Sequence, residues 1–158
     1  MALSDPLTEP TLLTREPIPA AVVRHRGVRM EQLRDLFDAG FAALATSGAA
    51  LAGPAFAVYR GDPSQAFDLD IGFPVAQPLG EPVTVGELTV EASELPGGNL
   101  LGYTHVGPYD ALAQSWGVLA QAAQERGLAP SAFFEVYVTE PSPDVDPATM
   151  RTDLFFVV

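Results

Sequence analysis

The sequence predicts an α+β domain: a duplicated βαββ unit that forms one antiparallel sheet, with two helices on one face and a ligand groove on the other. Three observations lead there. Segments of strand and helix character follow the order strand, helix, strand, strand, and then repeat it. Local details recur with the repeat: His25-Arg26-Gly27 matches His105-Val106-Gly107, Tyr59 matches Tyr137, and Asp70-Ile71 matches Asp153-Leu154. Finally, 158 residues that are 47% apolar suit one domain with a substantial core.

The elements follow in chain order. Residues 1–10 read as a loose tail. A strand is expected around Ala20 to His25, with Pro17 and Pro19 marking an edge or bulge before it. Met30, Leu33, Phe37, Phe41 and Leu44 recur at spacings that give a helix one apolar face. Arg34 and Asp38, one turn apart, lie on its wet side. Gly48 and Gly53 close that region. PAFAVYRG and FDLDIGFPV read as two strands joined by the turn DPSQ. AQPLGEP, residues 76–82, reads as a linker between halves of 11–75 and 84–158 within a single domain of 11–158. VTVGELTVEASELPGG reads as one strand ending in a Gly-Gly turn, and NLLGYTHVG as the next. Leu112, Trp116, Leu119 and Ala123 stripe the second helix, which Gly127 stops. SAFFEVYVTE and TDLFFVV are the closing strands, on either side of the acidic loop PSPDVDPA.

Charge narrows the function. The net charge is −12, with eight arginines and no lysine. Nucleic acid and anionic lipid both need clustered positive charge, so neither is an expected partner. The chain has no cysteine, which removes disulfides, thiolate nucleophiles and thiolate metal ligands. The two histidines are far apart in sequence, and neither a zinc-protease motif nor a calcium loop is present, so no metal or cofactor is expected. The amino terminus lacks the pattern of a signal peptide. The uncharged run Ala39 to Tyr59 is interrupted by Gly48, Gly53 and Pro54, and it reads as a helix end, a loop and a strand start. The cytoplasm is the expected location.

FFEVYVTEP, residues 133–141, contains the residue with the most chemical interest. Glu135 lies between aromatic residues, where a carboxylate is costly unless a positive charge meets it. Strand alternation places Phe133, Glu135 and Tyr137 on one face. Phe134, Val136 and Val138, wholly apolar, are assigned to the helix side. The other three are left for the groove.

The quoted residues FDLDIGFPV, ELPGGNLLGYTHVGPYDAL, Trp116 and FFEVYVTEP resemble the GyrI-like small-molecule-binding domains, a family named for a gyrase inhibitor protein. The same domain forms the effector-binding part of multidrug-sensing transcription regulators. The resemblance covers residues 12–158. It implies a stand-alone binder of amphipathic aromatic, often cationic compounds, in which Glu135 meets the charge. Tyr59, Phe133, Tyr137 and Trp116 are expected as ring walls, and Tyr103, His105 and Phe155 as further groove residues. It also implies two alternatives: a hydrolase of cyclopropane-bearing toxins that uses the same Glu135, and a protein-binding inhibitor of a topoisomerase. By position alone, Tyr109 reads as structural, and Asp68 and Asp70 as solvated acids. His105 near the Gly-Pro turn and Trp116 on the helix stripe also admit structural readings.

Overall fold

The computed structural model describes residues 5–61, 64–139 and 143–158. Parts of three expected features lie outside them: the start of the tail, Asp62 and Pro63 of the first turn, and Glu140, Pro141 and Ser142 after the Glu135 strand.

Nine strands form one antiparallel sheet, and two helices pack on it. In chain order they are β1 (Thr11–Arg15), β2 (Ile18–Val28), α1 (Leu33–Thr46), β3 (Phe56–Arg60), β4 (Phe67–Pro74), β5 (Val83–Val85), β6 (Leu88–Leu95), β7 (Gly98–Val106), α2 (Leu112–Glu125), β8 (Ala132–Tyr137) and β9 (Arg151–Val157). The spatial order is β1-β7-β9-β8-β3-β4-β2-β6-β5. At its centre, β7-β9-β8 meets β3-β4-β2, which is one βαββ unit beside a second in mirrored strand order. The seam is the β3–β8 pair, where Ala57 faces Glu135 and Tyr59 faces Phe133.

Three details differ from the sequence reading. Thr11–Arg15 is a strand that pairs with β7, although short polar-flanked segments give a weak strand signal. Residues 83–95 are a hairpin, β5 and β6, turned at Gly86, which adopts a positive φ of 62°. Leu7 is pinned: its N–H donates to Thr104 Oγ1 at 2.8 Å, and its carbonyl accepts from Thr104 N at 3.0 Å. The uncharged run at Ala39 to Tyr59 becomes the end of α1, a loop and β3. Among the described residues, no helix is long and apolar enough to cross a membrane.

Both faces of the sheet are covered, each in a different way. On one face, Leu36, Phe37, Phe41 and Leu44 of α1 pack over Tyr59, Leu69, Ile71 and Tyr137. Beside them, Trp116 and Leu119 of α2 pack over Leu101, Tyr103, Leu154 and Phe156. Cross-strand registers put all these strand residues on the same face as Glu135. The opposite face is closed by the sheet itself. The chain runs almost directly from β1 into β2 and from β6 into β7, and the two links cross at Gly97, which packs against Arg15, Glu16 and Pro17. This draws the ends of the sheet together. Leu13, Ile18, Leu95 and Leu100 from the ends then meet Phe56, Phe134, Val136 and Phe155 from the middle.

Strand alternation in the Glu135 segment therefore holds, but the sides are exchanged. Phe134 and Val136 face the closed interior of the curled sheet, while Phe133, Glu135 and Tyr137 lie under the helices. The groove expected on the helix-free face is filled by side chains there.

Candidate functional site

Glu135 sits at the seam of the two repeats, between the helices. Its position is set by the β3–β8 register, which places the buried methyl of Ala57 directly across from it. The residue is only 6% exposed. The Tyr59 hydroxyl donates to Glu135 Oε1 at 2.9 Å, and the Tyr137 hydroxyl donates to the same oxygen at 3.3 Å. The Trp116 side chain also lies where it favours the ionised carboxylate.

Aromatic rings enclose this carboxylate. Phe133 stacks on Tyr59 with centroids 4.8 Å apart and planes within 5°. Trp116 meets Phe133 edge-on at 5.1 Å and Phe156 at 5.4 Å. On the other side, Phe37 and Phe41 of α1 and Tyr109 before α2 meet Tyr137 edge-on, at 6.2, 6.4 and 6.0 Å. Edge-to-face contacts of this kind are favoured by ring quadrupoles, so the enclosure is a stable arrangement in its own right. Trp116, Phe133, Tyr137 and Tyr109 retain solvent contact, whereas Tyr59 and Glu135 lie beneath them.

Burial dominates the electrostatics. It pushes the Glu135 carboxyl above its usual range, and the nearby polar groups of Tyr59, Trp116 and Tyr137 only partly offset this. Tyr59 and Tyr137 are pushed well above the usual phenol value, first by burial and then by the charge of Glu135. Both phenols therefore remain donors at any ordinary pH. Tyr109 is shifted the same way for the same two reasons.

The structure brings together Glu135, Tyr59, Phe133, Tyr137 and Trp116. Tyr103 lies on the same face but packs with the α2 cluster. His105 is also on that face and is fully engaged. Its Nε2–H donates to the Pro108 carbonyl at 2.9 Å, which leaves Nδ1 to accept from the Ser115 hydroxyl at 2.7 Å. It thereby fixes the turn that carries Tyr109. Phe155 is on the opposite face, fully buried and stacked on Phe134 at 4.8 Å, so it does not reach Glu135. The reason is register: Phe155 pairs with Phe134, not with Glu135.

Four rings of the enclosure, Phe37, Phe41, Tyr109 and Phe156, were not assigned to it from sequence. Phe37 and Phe41 read as helix core, and Tyr109 as structural. Their signal was an aromatic pair one helical turn apart, plus a tyrosine at the start of the other helix. Asp70 is also not a solvated acid. It is buried and paired with Arg60 at 2.7 Å and Arg24 at 3.8 Å. Among the described residues, no group of histidines and acids could hold a metal ion.

The GyrI-like small molecule binding domain model matches residues 8–158 of this sequence, and those residues include every strand, both helices and the whole enclosure. The chain belongs to that family. No curated protein matches it in sequence. Solved structures similar to this GyrI-like chain show the same fold at low identity. The EcmrR C-terminal domain has a TM-score of 0.76 at 18% identity, with 95% of this chain and 96% of that one covered. SAV2435, solved bound to tetraphenylphosphonium, has a TM-score of 0.63 at 9% identity, covering 94% and 93%. A hydrolase encoded by lin2189 from Listeria innocua has a TM-score of 0.60 at 14% identity, covering 97% and 93%.

Proposed function

We propose that this GyrI-like domain binds amphipathic aromatic compounds, often cationic, with Glu135 as the charge partner and the surrounding rings as walls. One observation carries the reading: a buried carboxylate, held by two tyrosine hydroxyls, inside an aromatic enclosure between two helices. A carboxylate kept from water is unfavourable, and a cation that reaches it restores the missing counter-charge. Aromatic faces add attraction to the same cation, roughly 0.5–2 kcal/mol each. Glu135 is 6% exposed, so a bulky guest enters by parting the outer rings. The tetraphenylphosphonium held by SAV2435 is an aromatic monocation of this kind.

The test is a binding titration with cationic and neutral aromatic dyes of similar shape, on the native chain and Glu135→Gln. The cations are expected to lose about 30-fold in affinity, equivalent to roughly 2 kcal/mol, and the neutral dyes almost nothing. Equal loss for both classes, or none for either, would refute the reading.

A second reading has its own support. Glu135 is a weak acid beside two phenol donors, which is the equipment for delivering a proton to a strained electrophile. One neighbour in fold is named a hydrolase. Under this reading, Glu135 is the catalytic acid and cyclopropane-bearing compounds are the substrates. Turnover of such a compound by the native chain, lost in Glu135→Gln, supports it, and absence of turnover removes it.

A further inference from the structure

The two repeats differ at one buried position beside the enclosure. In the second repeat, Thr152 of β9 pairs with Tyr137 on one side and His105 on the other. In the first, Leu69 of β4 pairs with Tyr59 and His25 in the same way. Both side chains face the helices, and both residues are 0% exposed. Leu69 completes an apolar core there. Thr152 puts a hydroxyl in the equivalent place, and that hydroxyl is buried without a hydrogen-bond partner.

A buried hydroxyl left unpaired costs stability, and the first repeat shows that the fold accepts an aliphatic side chain at this position. Its neighbours are committed elsewhere. On that face, the Tyr59 and Tyr137 hydroxyls donate to Glu135, the Ser115 hydroxyl donates to His105, and the His105 ring N–H donates to the Pro108 carbonyl. Thr152 keeps both its donor and its acceptor capacity. It is also next to the acid. Tyr137 pairs with Thr152 and Glu135 with Leu154, so Glu135 and Thr152 are diagonal neighbours on one face of adjacent strands. Such positions are about 7–8 Å apart at the backbone, within reach of a long side chain and one small polar group between them. Glu135 also responds to His105, which stands on the far side of Thr152.

We infer that Thr152 is a second polar contact for the guest of the Glu135 enclosure, and that guests held this way are aromatic compounds bearing a protonated primary or secondary amine. The inference rests on the proposed binding function. An ionised carboxylate only accepts hydrogen bonds, so a guest group beside it has to donate. An ammonium with two or more N–H bonds donates one to Glu135 and another to Thr152. A quaternary ammonium or a phosphonium carries the same charge and has nothing to give the hydroxyl. Glu135 then selects for charge, and Thr152 for the N–H.

The test uses two fluorescent cations of one ring system, pyrenylmethylammonium and pyrenylmethyl-trimethylammonium. Each is titrated at neutral pH into the native chain, Thr152→Val, Thr152→Ser and Glu135→Gln. Thr152→Val keeps the shape and removes the hydroxyl. It should weaken the primary ammonium about tenfold and leave the trimethyl compound unchanged, and Thr152→Ser should restore the primary ammonium. The urea midpoint of Thr152→Val should equal or exceed that of the native chain, because no hydrogen bond is lost. Equal loss of both cations, loss of neither, or a clearly lower urea midpoint would overturn the inference. Glu135→Gln reports on the charge partner separately, and it should weaken both cations. If it weakens neither while Thr152→Val still acts selectively, the charge partner falls and the hydroxyl contact stands. If neither cation binds the native chain, both fall.

Discussion

Replacing Glu135 with Gln should stabilise the fold, and increasingly so as the pH rises. Burial makes Glu135 a weaker acid in the folded chain than in the unfolded one. Between the ordinary carboxylate pKa and the raised one, the folded chain holds a proton that the unfolded chain has already released. Unfolding in that window releases a proton, so a rise in pH favours the unfolded state. For one group the slope is at most about 1.4 kcal/mol per pH unit, and every tenfold weakening of the acid stands for about 1.4 kcal/mol in total. Below the window the carboxyl is protonated in both states and costs nothing extra. Above it the full penalty is present and constant. Gln has no such proton, and its amide can accept the same bond from Tyr59. The difference between the two proteins isolates this single group, since their other titrations cancel. The assay is urea unfolding of both, from roughly pH 4 to pH 9, with the slope of free energy against urea checked for equality. The variant should match the native chain at the acid end and exceed it at the alkaline end. For a chain of this length, each tenfold is about 3–6 °C in Tm. A difference that is flat with pH, or that grows in favour of the native chain, would show that the polar groups around Glu135 outweigh burial, and the account of the site would be wrong.

Tyr59→Phe removes the 2.9 Å donor and leaves the ring stack on Phe133 in place. The loss should be roughly 1.5–3 kcal/mol where Glu135 is ionised and smaller where it is protonated, as read from unfolding at two pH values. A loss independent of pH would mean that the bond does not favour the carboxylate form. Gly72→Ala places a Cβ 2.6 Å from the Ala21 carbonyl oxygen, 2.7 Å from Val22 and 2.9 Å from Phe56, in a strand paired on both sides. A loss of about 3 kcal/mol is expected from denaturant midpoints, and one well under about 1 kcal/mol would show that the sheet yields there.

The class of the fold was legible because periodicity and repetition are local properties. The two helical stripes, the paired strands after each helix and the matched His-x-Gly segments can all be seen without tertiary information. Alternation likewise grouped Phe133, Glu135 and Tyr137 correctly. What alternation does not carry is which group faces the helices. Phe134 and Val136 were assigned to them because they are apolar, and that inference assumes the other face is wet. Here the other face is dry as well, because the β1–β2 and β6–β7 links cross and fold the sheet over on itself. The cue was the pair of proline-marked breaks, Pro17 and Pro96, and its meaning depends on two distant segments meeting. Phe155 was misplaced for the same reason. Asp70 read as solvated because its partners, Arg60 and Arg24, lie on neighbouring strands whose register no single segment reveals. Phe37 and Phe41 looked like core and are core, but the same rings also wall the carboxylate.

The two repeats explain why the site carries one charge rather than two. Tyr59 and Tyr137 occupy matching places, and both hydroxyls converge on a single oxygen near the seam. The residue matching Glu135 in the first repeat is its own cross-strand neighbour, Ala57. A second carboxylate there would face the first within one cross-strand pair, and repulsion would force one of them to keep its proton. The methyl group avoids that conflict. It leaves two matching hydroxyls and a set of rings around one acid, which under the proposed reading would suit guests with a single positive centre and broad apolar surface. Broad selectivity toward aromatic cations would follow from that reading, because a single acid demands little that is specific of the guest.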